Sequence, residues 1–200
     1  MQLAVVILAA GASSRMGQPK LLLPWSGTSV LGHLVTQWRE AGAAQVGVVI
    51  AAGNKLLDDE LERIGIALNQ RMVNPEPTRG MFSSIQCAAQ WPGWMETITH
   101  WAITLGDQPH LAQATLRSLT EFSTINPDSI CQPSHGKHAR HPVVLPRKIW
   151  DALASSNQAT LKEFLAGHRE STQSVELTDP GLDLDIDTPT DYEEALRRFL

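Results

Sequence analysis

The chain has 200 residues, 42% hydrophobic and 18% charged, with a net charge of −5. That length suits one domain with a sizeable core, and the apolar content argues against disorder. Mild acidity argues against a nucleic-acid coat or a membrane-surface role, while leaving room for a local basic pocket. Cys87 and Cys131 are the only cysteines. They form neither a CxxC pair nor a zinc-ligand spacing, so a reducing cytoplasm is the simplest setting.

The N-terminal apolar run, residues 3–10, is too short to span a membrane and lacks a basic flank. It reads as a strand over 3–9, buried on both faces. A Gly/Ser-rich loop follows. Ser29 is placed to cap a helix carrying Leu31, Leu34, Val35 and Trp38 at helical spacing. Further along, strands are expected over 45–51, 71–74 and 99–105. Helices are expected over 54–64, within 78–91, and over 112–122. Beyond that the pattern loosens. Short strands at 129–132 and 142–145 flank a polar stretch, 133–141. Short helices fit 147–153 and 159–166, the second capped by Gly167. A late strand fits 173–177, and a closing helix over 189–200 has Pro189 in its first turn. No repeat or linker divides the chain. The alternation predicts one α/β domain over residues 1–200, Rossmann-like, with a mostly parallel (mixed) sheet flanked by helices.

The most informative segment is the first loop, Leu8-Ala9-Ala10-Gly11-Ala12-Ser13-Ser14-Arg15-Met16-Gly17-Gln18-Pro19-Lys20. It leaves the carboxyl end of a buried strand, where open parallel sheets collect ligands. Small residues let the backbone approach a ligand, and its N–H groups can form a concave anion site. Arg15 and Lys20 add positive charge. A P-loop is excluded because Leu21, not Ser or Thr, follows Lys20; a dinucleotide fingerprint is excluded because Gly11 and Gly17 lie too far apart. A surface loop with two solvated cations is the bland alternative.

Two carboxylates, Asp107 after the strand over 99–105 and Asp187 after the run over 182–186, would suit Mg²⁺ beside substrate phosphates. A helix cap is the competing reading for each, and Asp183, Asp185 and Asp191 compete with Asp187. Gly80, Ser83 and Ser84 are candidate nucleotide contacts, with capping the alternative for both serines. Asn74 would bind base or ribose, or simply make the turn before Pro75. His135, His138 and His141 recur every three residues, but Gly136 and Pro142 break any rigid helical face. Trp25, next to Pro24, is a minor candidate for the pocket wall. Cys87, on a helix, reads as a small buried apolar residue rather than a nucleophile.

Ala9-Ala10-Gly11, Ser13-Ser14-Arg15-Met16-Gly17, Pro19-Lys20 and Leu21-Leu22-Leu23-Pro24 resemble the signature of MobA-like NTP transferases. Within that group they look most like molybdenum cofactor cytidylyltransferases. The resemblance continues through Asn74-Pro75, Gly80-Met81-Phe82-Ser83-Ser84, Leu105-Gly106-Asp107-Gln108-Pro109, His141-Pro142-Val143 and Asp185-Ile186-Asp187-Thr188-Pro189. It implies a Mg²⁺-dependent nucleotidyltransferase. Ala9, Ala10, Gly11, Ser13, Arg15, Lys20, Asn74, Gly80, Ser83 and Ser84 would contact the nucleotide. Arg15, Lys20 and Asp107 would act in catalysis, Asp107 and Asp187 would hold the metal, and Arg140 with His141 would face the acceptor. The family pattern is also what selects Asp187 among its acidic neighbours. Ala10, where guanylyltransferases usually carry a second glycine, leans toward CTP. The implied acceptor is the molybdopterin cofactor, and the implied partner is a molybdenum hydroxylase or its maturation factor. Arg140 stands where the family usually has glycine, and residues 155–160 lack the Gly-Ala-Arg-containing segment of many relatives. Both departures bear on the acceptor. GTP or another phosphorylated acceptor is the alternative chemistry, and a nucleotide- or cofactor-binding carrier without turnover is the alternative of another class.

Overall fold

The computed structural model describes residues 1–200. Its centre is β1 (Leu3–Ala9), where Leu3, Val5, Ile7 and Ala9 join one core and Ala4 and Val6 the other. A strand with apolar side chains in both directions must be covered on both faces. The chain then forms a small hairpin, β2 (Pro24–Trp25) and β3 (Thr28–Ser29), and continues into α1 (Val30–Glu40) and β4 (Gln45–Ala51). Next come α2 (Lys55–Arg63), β5 (Arg71–Asn74), α3 (Met81–Ala89), β6 (His100–Leu105) and α4 (Gln113–Ile125). The last third contains β7 (Ile130–His135), β8 (His138–Ala139), β9 (Val143–Pro146), α5 (Arg147–Ala154), α6 (Leu161–Ala166), β10 (Thr172–Glu176) and α7 (Pro189–Phe199).

The main sheet has eight strands in the order β10-β7-β9-β6-β1-β4-β5, with β8 paired to β7. From β5 to β6 all neighbours are parallel; β9 runs antiparallel to both β6 and β7, and β10 is parallel to β7. The mixed, mostly parallel sheet expected from the alternation is therefore present. One core packs α1, α2, α4 and α7 on one face; the other packs α3, α5 and α6 on the opposite face. The second core includes a stack of Trp101 on Trp150, ring centres 5.1 Å apart. No helix is long and apolar enough to cross a membrane.

Local signals account for most boundaries. Ser29 accepts from the Gly32 N–H at 2.9 Å, so it caps α1 as expected. Thr188 caps α7 in a capping box with Asp191, and Pro189 occupies the first turn. Gly167 closes α6, but at φ −73 rather than in the left-handed conformation. The β2–β3 hairpin was not expected; its signal was Ser26-Gly27, both at positive φ, the requirement of a type I′ turn. The stretch 133–141 is corrected more substantially. It is not a loop between strands: β7 extends through His135 and folds back into β8. Its polarity hid this because the buried residues there, Pro133 and Ser134, carry no apolar alternation. Pairing to β10 shields them, with the Ser134 hydroxyl donating to Glu176 at 2.7 Å.

Candidate active site

The carboxyl ends of β1 and β6 lie side by side, Leu8 level with Leu105. The loops that leave them enclose a cavity of about 330 Å³, lined by Ala9, Ala10, Gly11, Ser13, Lys20 and Asp107 among others. No protein atom lies within 4 Å of where a Cβ on Gly11 would stand. Gly106 is different: a Cβ there would come within 2.9 Å of the Leu8 carbonyl oxygen, so the close approach of the two loops requires glycine. Ser13 adopts φ +49, and its hydroxyl accepts from the Lys20 N–H at 3.3 Å, folding the loop back on itself. A single 3₁₀ turn, Lys20–Leu22, then buries Leu21 and leaves Lys20 at the cavity.

The Lys20 ammonium stands between two carboxylates. It donates to Asp107 Oδ2 at 2.7 Å, to Asp187 Oδ1 at 3.3 Å and to the Ile186 carbonyl at 3.3 Å. Arg15 reaches the other Asp187 oxygen at 2.8 Å. The four charged residues picked from sequence thus meet at one point, although Lys20 and Asp187 are 167 positions apart. Neither aspartate caps a helix: α4 starts six residues after Asp107 behind Ala112, and α7 is capped by Thr188.

A clasp that sequence reasoning missed brings Asp187 here. His110 Nε2 donates to the carbonyls of Gly181 (3.0 Å) and Leu184 (2.9 Å), which fixes its proton on Nε2. The Ile186 N–H donates to the Asp107 carbonyl at 3.0 Å. Asp179 accepts from the Ala112 N–H and the Thr115 hydroxyl, so it ties down the start of α4 from 67 residues away. Gln108 donates to Asp185 at 2.9 Å. Burial, then the Asp107 charge, pushes the Asp185 carboxyl above the usual carboxylate range. The available sequence signal was the polar run Gln108-Pro109-His110 directly after a strand end.

Two of the expected nucleotide contacts are bonded within the chain. Asn74 is buried, donates to Ser83 Oγ (2.8 Å) and Ser84 Oγ (2.9 Å), and accepts from the Glu76 N–H (2.9 Å). Its amide is spent on the chain, because a buried amide must be satisfied internally. Ser83 donates to the Gly80 carbonyl at 2.8 Å and does not line the cavity. Gly80, at φ +95, and Ser84 do line it. Neither serine acts as an N-cap, a role held by Gly80 without a side-chain bond. Trp25 is buried against His33, His110 and Tyr192, away from the cavity.

Arg140 and His141 border a second, adjoining groove. Arg140 is bound to Asp183 at 2.6 Å, and His135 holds the other Asp183 oxygen at 2.7 Å. Burial pushes the His141 imidazole below its usual value, against the opposing pull of the Ile103 backbone and the Asp107 charge. The three periodic histidines do not converge into a metal site: no cluster of three or more His, Cys, Asp or Glu side chains is arranged as a cage. Cys87 and Cys131 are both free.

A divalent cation fits the Asp107–Asp187 pair. Asp107 Oδ1 is buried without a hydrogen-bond partner, an acceptor left for something outside the protein. Two carboxylates without a full cage is the donor set Mg²⁺ uses when substrate phosphates and water complete its shell.

The chain resembles known proteins over most of its length. The MobA-like NTP transferase domain matches residues 5–173. The chain is 27% identical to the molybdenum cofactor cytidylyltransferase of Escherichia coli K12, over 97% of this chain and 95% of that protein. It is 37% identical to a molybdenum cofactor guanylyltransferase of Xanthomonas euvesicatoria over 57% of this chain and 51% of that protein. Among solved structures, Rv0371c of Mycobacterium tuberculosis superposes with a TM-score of 0.73 at 27% identity, covering 98% of both chains. The same mycobacterial protein has been solved in complex with manganese; that structure covers 99% of this chain and 100% of its own at TM-score 0.70 and 25% identity.

Proposed function

From the premise that the chain belongs to the MobA-like NTP transferase family, and is a nucleotidyltransferase, we propose that it transfers a cytidylyl group from CTP to the molybdenum cofactor. The observation that carries this reading is the meeting of Arg15, Lys20, Asp107 and Asp187 at the mouth of a small-residue cavity. In the proposed reaction an ionised phosphate oxygen of the acceptor attacks the α-phosphorus of CTP. A new P–O bond forms as the bond from the α-phosphorus to the bridging oxygen breaks, and that oxygen leaves with the electron pair as pyrophosphate. The nucleophile is already an anion, so no general base is required. Catalysis then rests on positioning and on charge placed where charge gathers.

The backbone of residues 9–13 would cradle the triphosphate. Lys20 and Arg15 would bind the β- and γ-phosphates and hold the departing pyrophosphate. Asp107 and Asp187 would hold Mg²⁺, which when bound supplies neutralisation of phosphate charge. Ala10 and the near-complete coverage by the cytidylyltransferase relative favour CTP. GTP is the second reading, favoured by the 37% identity to a guanylyltransferase over 116 residues. A molybdenum hydroxylase or its maturation factor would receive the product in the cytoplasm.

The test is pyrophosphate release with Mg²⁺ and molybdenum cofactor, comparing CTP with GTP and wild type with Asp107→Ala. Release with CTP that disappears in the variant supports the proposal. Release with GTP alone overturns the reading of Ala10. Binding of Mg-CTP without release in the presence of the cofactor overturns the acceptor.

A further inference from the structure

The groove beside the nucleotide cavity has a volume of about 600 Å³ and shares Met81 with it. Its floor is apolar, with Val143, Leu161 and Leu165. Its rim carries Arg140, Lys162 and Arg169, and not one of its 13 lining residues is acidic. In a chain of net charge −5 this is a local inversion of sign. The three cations are not equivalent. Arg140 is already neutralised by Asp183. Lys162 and Arg169 are exposed and have no ion pair within the chain, so the uncompensated charge belongs to them.

Position adds a length. The Arg140 N–H is bonded to the Pro133 carbonyl, near the end of β7 that faces the catalytic edge. Thr172, which also lines the groove, pairs with Ile130 at the start of β7. Three strand residues separate these levels, roughly 10 Å at the rise of a β-strand. Arg169, three residues before Thr172, lies toward the far end.

Building on the nucleotidyltransferase reading, we propose that this groove is an acceptor subsite selecting a molecule with two anionic groups. One is the phosphate that attacks at Asp107. The other, farther along the groove across a ring or other apolar body, is held by Lys162 and Arg169. Burial of the body on Val143 and Leu165 supplies affinity, and the two unpaired cations supply the choice between anionic and neutral ends. Arg140, fixed by Asp183, forms the wall between the subsites and does not contribute the distant charge.

Direct binding tests this without turnover. The probe is 8-anilinonaphthalene-1-sulfonate, and its control is N-phenyl-1-naphthylamine, the same ring system without the sulfonate. The expected result is one sulfonate probe per chain, not displaced by Mg-CTP. The Lys162→Gln/Arg169→Gln double variant should bind it about tenfold more weakly, the scale of partly exposed charge contacts, while the neutral probe changes less than about twofold. Equal sulfonate affinity in variant and wild type, parallel loss of both probes, or displacement by Mg-CTP would each overturn the subsite. If cytidylyl transfer to the molybdenum cofactor fails while the charge-dependent binding persists, the function is revised and the subsite stands. If transfer succeeds, the double variant should raise the cofactor KM about tenfold with kcat and the CTP KM unchanged.

Discussion

The two halves of the sheet border cavities of different kinds. On the β5-β4-β1-β6 side all strands run parallel, and the cavity lies off their carboxyl ends, built from backbone and short side chains. On the β9-β7-β10 side one strand is reversed, and the groove lies along the sheet with a rim of long cations. An edge cavity suits a phosphate chain, which needs N–H groups and a few charges. A groove on a sheet face suits an extended body with apolar area. On the proposed function, donor and acceptor would meet at the border between the two cavities, where Asp107 and His141 stand.

The largest effects should come from the border. Asp107→Ala should lower kcat by about 10³-fold or more, because charge stabilisation in such sites is worth that order. Pre-steady-state pyrophosphate release measures it; a loss below tenfold would place the chemistry elsewhere. Lys20→Met should cost about 10²-fold on the same scale. Calorimetric Mn²⁺ titration without nucleotide should also show tighter binding in this variant, since the ammonium no longer sits between Asp107 and Asp187. Unchanged Mn²⁺ affinity would break the link between Lys20 and the metal carboxylates.

The next test stays on the nucleotide side but reads stability. Asn74→Ala removes an amide that holds Ser83, Ser84 and the Glu76 N–H together. Leaving those groups without a partner in a buried setting should destabilise the fold by about 1–3 kcal/mol, seen as a lower urea midpoint. A variant of full stability with impaired CTP binding would instead restore Asn74 as a ligand contact.

Arg140→Ala separates the halves. It should leave the CTP KM unchanged and alter the acceptor KM several-fold, because Arg140 borders only the groove. Equal effects on both substrates would show that donor and acceptor sites are one.

The same division decides how much was legible in the sequence. On the cavity side the first loop offered small residues and two cations, with a solvated surface loop as the alternative, and the family pattern rather than the chemistry singled out Asp187. Arg15, Lys20, Asp107 and Asp187 were selected from sequence and do meet. The clasp was not legible. His110 grips backbone carbonyls, and carbonyls carry no sequence signal. Asp179 holds the start of a helix 67 residues away, beyond the reach of any local pattern. On the groove side, β7 hides polar residues through pairing with β10, so alternation failed there. Lys162 and Arg169 are ordinary exposed cations until the fold sets them around one groove.

The smallest expected effect contrasts two histidines at opposite ends of β6. His100 opens β6, bonded to the Pro127 carbonyl through Nε2 and to Thr99 through Nδ1. His110 follows β6 and holds the clasp, with Nδ1 buried and unpartnered. Burial lowers the pKa of both below the usual histidine value, against the opposing pull of their backbone partners. With the folded pKa below the unfolded one, the unfolded chain takes up protons first as pH drops. Stability is therefore full above the unfolded value near 6.5, falls as pH moves below it, and levels once the folded histidines also protonate. Each unit of separation corresponds to about 1.4 kcal/mol. Urea midpoints at pH 7.5 and 5.5 should fall for the wild type, and fall less for His110→Gln and His100→Gln. The two variants should differ at pH 7.5 in a second respect. His110→Gln should weaken Mg-CTP binding by loosening the segment that carries Asp187, whereas His100→Gln should leave it intact. A flat wild-type profile would remove the histidine contribution, and equal Mg-CTP affinity in both variants would separate the clasp from the site.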